Sequence, residues 1–387
     1  MTRVALGDIA DINPRLPERP GSEELVSFLP MAGLGTDGST ECGEERPFGE
    51  VSRGYTPFLD GDLLIAKITP CFQNNKIGQA RIGRRVGVGS TEFHVVRPRS
   101  HVADARYLLH FLRRDQVRLE GERRMTGSGG QRRVPVGFLE GLDLPLPPLS
   151  EQQRIAAVLD RVDTLQAATT RARQLNVALI QGVVERHLGS LALSDYRSFG
   201  DCCTRLTVGV VIRPASHYVE AGVPALRTTN VKAGRIDATD LVYFSQAAND
   251  GPLAKSKLLA GDLVIARTGR PGVTAVVPDS LAGGNAIDLI VATPNPTVAH
   301  PLYLEALMNS TVGRRLVSGE QRGQIQQHFN VGSLRAALIP VPTLAVQEEL
   351  VDRLLAIRRQ DQLQEKRQVQ LIGLADGLQA RAFAGQL

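Results

Sequence analysis

The feature that most constrains this chain is a duplication whose unit is nearly half its length. Leu6-Gly7-Asp8 returns as Phe199-Gly200-Asp201. Phe58 to Lys67, reading FLDGDLLIAK, returns as Leu258 to Arg267, reading LLAGDLVIAR. Gln131 to Leu139 aligns with Gln326 to Leu334, with Val136-Gly137 falling on Val331-Gly332. Leu144 to Leu149 (LPLPPL) aligns with Ile339 to Leu344 (IPVPTL), and Gln152 and Gln347 follow at matching places. The order is the same in both halves and the offset stays near 195 residues. Order and spacing preserved together imply two copies of one folding unit, and 387 residues accommodate two or three domains.

Each copy has two parts. The first, about 145 residues, is rich in Gly, Pro and short apolar runs. Asp62–Lys67, Glu92–Arg97, Asp262–Arg267 and Asp288–Thr293 read as strands, the first and third opening from a Gly-Asp turn. Ala103–Leu119 and Pro301–Val317 read as helices. The mixture predicts a compact α+β domain.

The second part is a long helix. Pro147-Pro148 ends the preceding element, Ser150 with Gln153 fits a capping box, and Gly189 supplies a stop. Ile155, Val158, Val162, Leu165, Ala172 and Leu179 form a stripe interrupted by Thr169 and Asn176. The second helix, from about Leu344 to Phe383, uses Leu350, Leu354, Ile357, Leu371, Leu374 and Leu378, and Arg358–Gln368 is almost wholly polar. Both helices are therefore sticky at their ends and polar centrally. The expected division is a globular domain at 1–148, a helix at 149–190, a globular domain at 191–343 and a helix at 344–387.

A helix of some 38 residues is about 57 Å long at about 1.5 Å per residue. It needs a packing partner in water, and the other helix is the obvious one. The expected pair is antiparallel, related by a pseudo-two-fold axis. At about 3.4 Å per base pair, about 57 Å corresponds to at most about 17 base pairs between domain centres. Such a chain would read two unlike short sequences separated by a fixed gap.

Composition excludes several classes and permits this one. Charged residues are 22%, hydrophobic residues 42%, the net charge is +5 and the pI is about 9.2, which allows nucleic-acid binding without requiring it. No run of eighteen apolar residues occurs and the N-terminus has no apolar signal region, so a cytoplasmic protein without membrane contact is expected. Cys42, Cys71, Cys202 and Cys203 form no CxxC pair and have no clustered histidines, so no metal site is expected. There is no phosphate loop, no GxGxxG after a strand and no nucleophile–base constellation. Gly127 to Gln131 is glycine-rich but lacks the Lys-Ser/Thr that phosphate and Mg²⁺ would need. No catalytic residue and no cofactor are expected.

The ordered motifs carry a family resemblance. Gly61 to Gly78 (GDLLIAKITPCFQNNKIG) resembles the target-recognition domain of type I restriction-modification specificity subunits, and Gly89 to Pro98 (GSTEFHVVRP) is similar to the strand that follows in such domains. Leu226 to Arg235, Gly261 to Gly272 and Gln324 to Phe329 resemble a second variant of that domain. Leu146 to Arg154 (LPPLSEQQR) resembles the start of the family's spacer helix, from which Thr343 to Val346 (TLAV) departs. The resemblance implies a non-catalytic subunit that reads double-stranded DNA and binds two methyltransferase subunits, usually joined by ATP-driven restriction subunits. A free-standing DNA-binding or interference protein is the alternative.

Candidate DNA contacts follow from side-chain chemistry. Lys67, Thr69, Gln73, Asn74, Asn75 and Lys76 stand beside a strand end, where Asn and Gln suit adenine and Lys suits guanine; a polar turn capped by its own asparagines is the competing reading. Gln131, Arg132 and Arg133 flank the glycine loop. Arg113, Arg114, Arg118, Arg123 and Arg124 complete the densest cationic run, read either as phosphate contacts or as a solvated helix face. In the second half the candidates are Arg227, Thr228, Asn230, Arg267, Thr268 and Arg270, with Gln324, Gln326, Gln327 and His328 as a further polar run.

Overall fold

The computed structural model describes residues 2–128, 130–319 and 330–387. By internal contacts it divides into two units, Met1–Thr170 with Lys366–Leu387, and Arg171–Glu365. Both boundaries fall inside long helices.

Unit one runs through β1 (Arg3–Ala5), α1 (Leu6–Ile9), β2 (Ala10–Ile12), β3 (Leu25–Leu29), β4 (Glu44–Pro47), α2 (Phe48–Val51), β5 (Thr56–Leu59), β6 (Leu63–Ala66), β7 (Ile77–Gln79), β8 (Val86–Gly89), β9 (Phe93–Pro98), α3 (Ala105–Leu112), α4 (Asp115–Arg124), α5 (Val136–Glu140) and β10 (Asp143–Pro145) into α6 (Leu149–Gly189). One antiparallel sheet has the order β2-β9-β6-β7, and a second has the order β4-β3-β8-β5 with β3 and β8 parallel. β6 shows how the core is divided. Leu63 and Ile65 pack against the helices with Tyr107, Phe111 and Ile155, whereas Leu64 and Ala66 face the second sheet with Leu29, Phe58 and Phe93. That is the period of two of a strand buried on both faces.

Unit two repeats this frame. Its elements are β11 (Tyr196–Ser198), β12 (Cys203–Val208), β13 (Tyr218–Val219), β14 (Val223–Leu226), β15 (Val231–Lys232), β16 (Arg235–Ile236), β17 (Val242–Phe244), α7 (Gln246–Asp250), β18 (Leu263–Ala266), β19 (Thr274–Val276), β20 (Asn285–Ala286), β21 (Leu289–Pro294), α8 (Pro301–Asn309), α9 (Thr311–Gly319), α10 (Val331–Ala336), β22 (Leu338–Pro340) and α11 (Leu344–Ala384). The sheet β12-β21-β18-β19 matches β2-β9-β6-β7 strand for strand. In β18, Leu263 and Ile265 again face the helices while Val264 and Ala266 face away. The second sheet, β13-β17-β14-β20, keeps the parallel pair as β14 and β20. It gains β13 at one edge, and the place of β5 is reduced to a single bridge, Lys257 to Asn285.

The Gly-Asp turns are built alike. Gly61 and Gly261 take φ of +86° and +83°, a region that favours glycine. The buried Asp62 accepts from the Leu59 amide at 2.8 Å, as Asp262 does from Leu259. Arg97 from β9 neutralises Asp62, whereas Arg205 from β12 neutralises Asp262.

Each long helix is joined to its domain by one glutamine. Gln152 is fully buried; its amide donates to Val102 O (3.0 Å) and Pro147 O (2.9 Å), and its carbonyl accepts from Asp104 N (2.9 Å). Gln347, equally buried, donates to Val298 O (2.9 Å) and Pro342 O (2.8 Å) and accepts from His300 N (2.8 Å). Tyr107 and Tyr303 reinforce the same joints by donating to Pro145 O and Pro340 O.

The helix halves pack antiparallel within each unit. In unit one Ile155 and Leu159 share a core with Ala382 and Phe383, and Gln166 donates to Leu371 O at 3.2 Å. In unit two Val184 and Leu188 share a core with Leu350 and Leu354, and Arg173 lies 3.5 Å and 3.3 Å from Asp361 and Glu365. The buried positions of α6 step by threes and fours through Gln152, Ile155, Leu159 and Val162 and then by sevens to Thr169 and Asn176, a heptad seam.

Five local expectations are corrected. Leu179 and Leu374 are 51% and 48% exposed, because the seam steps past them and places the buried Asn176 and Leu371 on the contact line instead. Thr169 and Asn176 therefore continue the stripe as buried polar layers. Ala103–Leu119 is two helices broken at Arg113, whose carbonyl takes a bond from the Asn75 amide. Pro301–Val317 is likewise two, because the Ser310 hydroxyl caps α9 through the Val312 amide (3.1 Å). α6 begins at Leu149 with Pro148 O receiving the Glu151 and Gln152 amides, so Ser150 lies inside the first turn rather than at the cap.

Gln152→Ala and Gln347→Ala each strand buried backbone groups, at a cost on the order of 3 kcal/mol. Thermal unfolding should fall by several degrees for either variant, and exposed Gln153→Ala should leave it unchanged.

Candidate nucleic-acid interface

In unit one the C-terminal end of β6 meets the glycine loop. Lys67 donates its amide to Glu92 O and accepts from Val134 N, and Thr69 N donates to Arg132 O, all at 2.8–2.9 Å. The Thr69 hydroxyl donates to Gly130 O (2.6 Å) and accepts from Arg132 N (3.1 Å). Gly127 and Gly130 sit at φ +129° and +79°, which lets the loop reverse, and Thr126 and Arg133 close it with paired backbone bonds. Lys67, Thr69, Gln131, Arg132 and Arg133 are thus brought together.

Their side chains differ in availability. Gln131 and Arg132 are exposed, and neither side chain has a hydrogen bond among the described residues. Arg133 is held by Glu92 through Nε (3.0 Å) and Nη2 (2.7 Å). That bond holds the Glu92 carboxyl below its usual range, against the opposing effect of burial.

The neighbouring polar run is mostly structural. Asn75 adopts φ +56° and donates to Arg113 O, Lys76 donates to Met31 O (3.1 Å), and Gln73 donates to Glu122 (2.6 Å). Asn74 alone among these four is exposed without a side-chain bond.

The cationic run is largely self-neutralised. Arg113 is half-buried and donates to Ile77 O and Thr36 O, and its partial desolvation lowers its pKa. Arg114 stacks over Phe111 and Phe383. Arg118 pairs with Asp115, and Arg123 and Arg124 pair with Glu120. These arginines brace helices.

In unit two the end of β18 carries the corresponding group. Arg267 is bonded to Asp288 (2.8 Å), and Thr268 lies 3.4 Å from both Asp288 and the Thr228 hydroxyl. Arg270 is exposed on a turn with Gly269 and Gly272 at φ +67° and +84°, without a side-chain bond among the described residues. Arg227 is tied to Asp240 (2.7 Å). Asn230 is buried and fully used, accepting from Arg227 N and donating to Asp237 O and Asp240 O. Gln324, Gln326, Gln327 and His328 lie outside the described residues.

Sequence reasoning passed over Glu92 and Asp288. Both immediately precede the aligned strands β9 and β21, which was the available signal. One further cluster, His110 with Asp160 and Asp163, has the donor types of a cation site. However, Arg106 and His110 already engage Asp160. Burial raises the Asp160 pKa, but those two hydrogen bonds outweigh it and hold the carboxyl below its ordinary value. The cluster is a joint between α3 and α6.

Residues 2–178 match the family model described as the type I restriction modification DNA specificity domain. The EcoAI type I specificity subunit of Escherichia coli is 40% identical over 195 residues, covering 50% of this chain; the chain spans only 33% of that relative. The solved S subunit of a type I system from M. genitalium shares the fold over 99% of this chain and 96% of its own, with a TM-score of 0.62 at 12% identity. A chain solved in work on assembly and conformational transition of the type I R-M system gives 0.61 at 18% identity, covering 100% and 98%. The comparisons show likeness to a DNA specificity domain over residues 2–178 and likeness of fold over nearly the whole chain. Within residues 2–178 the chain is similar to type I restriction-modification specificity subunits. Among the described residues no helix is long and apolar enough to cross a membrane.

If the exposed cations meet phosphates, Arg132→Ala and Arg270→Ala should each flatten the salt dependence of duplex binding by about 0.9 in log–log slope. Arg124→Ala, which removes only a helix ion pair, should not change it.

Proposed function

We propose that this chain is the non-catalytic specificity subunit of a type I restriction-modification system. In this reading residues 1–148 and 191–343 are target-recognition domains, each reading one half of an asymmetric bipartite DNA site. Residues 149–190 and 344–387 are the spacer that sets the gap. The observation that carries the reading is the repeated frame: in both units a β-strand ends beside exposed cations, on loops unlike one another in sequence. A shared frame supplies equivalent placement, and unlike loops supply unlike targets.

Lys67, Thr69, Asn74, Gln131, Arg132 and Arg133 form the candidate contact set of unit one, and Arg227, Arg267 and Arg270 that of unit two. Asn75, Lys76 and Asn230 act one step back, holding the loops. Methyl transfer is supplied by partner methyltransferase subunits, two per chain in keeping with the duplication, with ATP-driven restriction subunits joining where DNA is cut. The partners dock on the helices.

Selection from a random duplex pool with the full chain and its methyltransferase subunits tests this. A motif of two unlike half-sites with constant spacing is expected, with methylation only when both components are present. A single contiguous motif, or methylation by the chain alone, would overturn it.

A further inference from the structure

We infer that Glu92 and Asp288 are positioning residues for sequence discrimination, each holding a DNA-facing cation in one orientation. This inference rests on the reading of both units as DNA-recognition domains. The two acids occupy equivalent places, the residue before β9 and the residue before β21, at an offset of 196. Each bonds a guanidinium at the end of the strand beside it, yet the guanidinium comes from different places. In unit one it is Arg133 from the glycine loop, and in unit two it is Arg267 from the end of β18 itself. The acid is the constant and the cation is the variable.

A similar exchange of partners occurs at Asp62 and Asp262, but those acids are 3% and 0% exposed and simply neutralise a buried charge. Glu92 and Asp288 differ, being 23% and 31% exposed beside the loops that carry Arg132 and Arg270. Burial does not demand a charge partner for either acid, although in unit two Arg267 itself is only 18% exposed. Arg133 is itself 42% exposed, with Nε and Nη2 committed to Glu92 and Nη1 making only a 3.4 Å contact with Gln131 O. The bidentate grip fixes the plane of the guanidinium and leaves the Nη1 side toward solvent.

In unit two the backbone adds a second observation. Asp288 takes φ +49°, a left-handed conformation that a non-glycine residue adopts at some cost. Its amide is held by Val210 O (3.1 Å), and its two carboxylate oxygens take Arg267 and Thr268 from different sides. The turn thereby aligns two polar side chains next to Arg270.

An acid beside a polyanion costs affinity. A surface built only to hold phosphates would omit it. Retaining it at both equivalent places makes sense if the return is orientation: a cation kept from roaming among phosphates makes its bonds only where the groove offers the matching acceptors.

The test uses the full chain, the duplex selected by the wild type, single-mismatch duplexes in each half, and a scrambled duplex of equal length. Glu92→Gln and Asp288→Asn each remove a charge with little change of shape, and Glu120→Gln on α4 serves as control. Glu92→Gln should bind the scrambled duplex more tightly, with a salt slope steeper by about 0.9, while discrimination falls about tenfold in the half-site read by unit one only. Asp288→Asn should do the same in the other half-site, and Glu120→Gln should leave both discriminations intact. A merely structural role would instead weaken binding to every duplex and lower the melting temperature. Intact discrimination in both variants, or a uniform loss, would overturn the inference. If the wild type enriches no motif, DNA reading itself fails and the inference fails with it.

Discussion

Everything in this architecture depends on how firmly a helix is fixed to the domain that precedes it, and one buried side chain per unit does that. Prolines precede each helix at Pro147-Pro148 and at Pro342. They present carbonyls but no amide hydrogens. The carboxamides of Gln152 and Gln347 fit that deficit: two N–H groups reach carbonyls on either side of the joint, and the carbonyl receives a domain amide. All three valences are used in a site closed to water, so a change of helix direction would leave several groups unpaired at once. Because the joint is directional, the domain and helix of each unit behave as one piece.

With the joint fixed, the loops are free to differ. The sheets β2-β9-β6-β7 and β12-β21-β18-β19 have the same order, and β6 and β18 divide their side chains identically between two cores. Variation is confined to the edges and strand ends, where β13 is gained, β5 is lost, and the cation facing Glu92 or Asp288 changes its origin. A frame that holds still while its loops change can acquire new specificities without refolding. The polar middle of the helices fits this economy, since Gln166, Arg173 and Asn176 reach across to the other helix with hydrogen bonds that only one alignment satisfies.

Much of this was legible in the sequence, for a physical reason. Duplication preserves order and spacing, so the repeat, two strands of each copy and both long helices could be read from pattern alone. What could not be read is which polar groups the fold consumes. Asn75, Lys76 and Asn230 have the chemistry of base readers, but Asn75 and Lys76 are spent on backbone carbonyls distant in sequence, and Asn230 on the carbonyls of Asp237 and Asp240 in its own loop. Arg113 is spent in the same way, on Ile77 O and Thr36 O. Conversely, Glu92 and Asp288 were passed over because an acid is not expected where DNA would lie, and only the guanidinium opposite reveals its use. Leu179 and Leu374 looked like seam residues because threes and fours can be counted from more than one start, and the contacts decide which start is right.

The function proposed above requires that two helices of matched length set the spacing of the two half-sites. Its most direct measurement lengthens both by one heptad, within Gln166–Arg173 and within Asp361–Gln368, so that the seam stays in register while each helix grows by about 10.5 Å. Sites selected by this variant should keep both half-sites and widen the gap by about three base pairs. An unchanged gap in a folded variant would contradict the account.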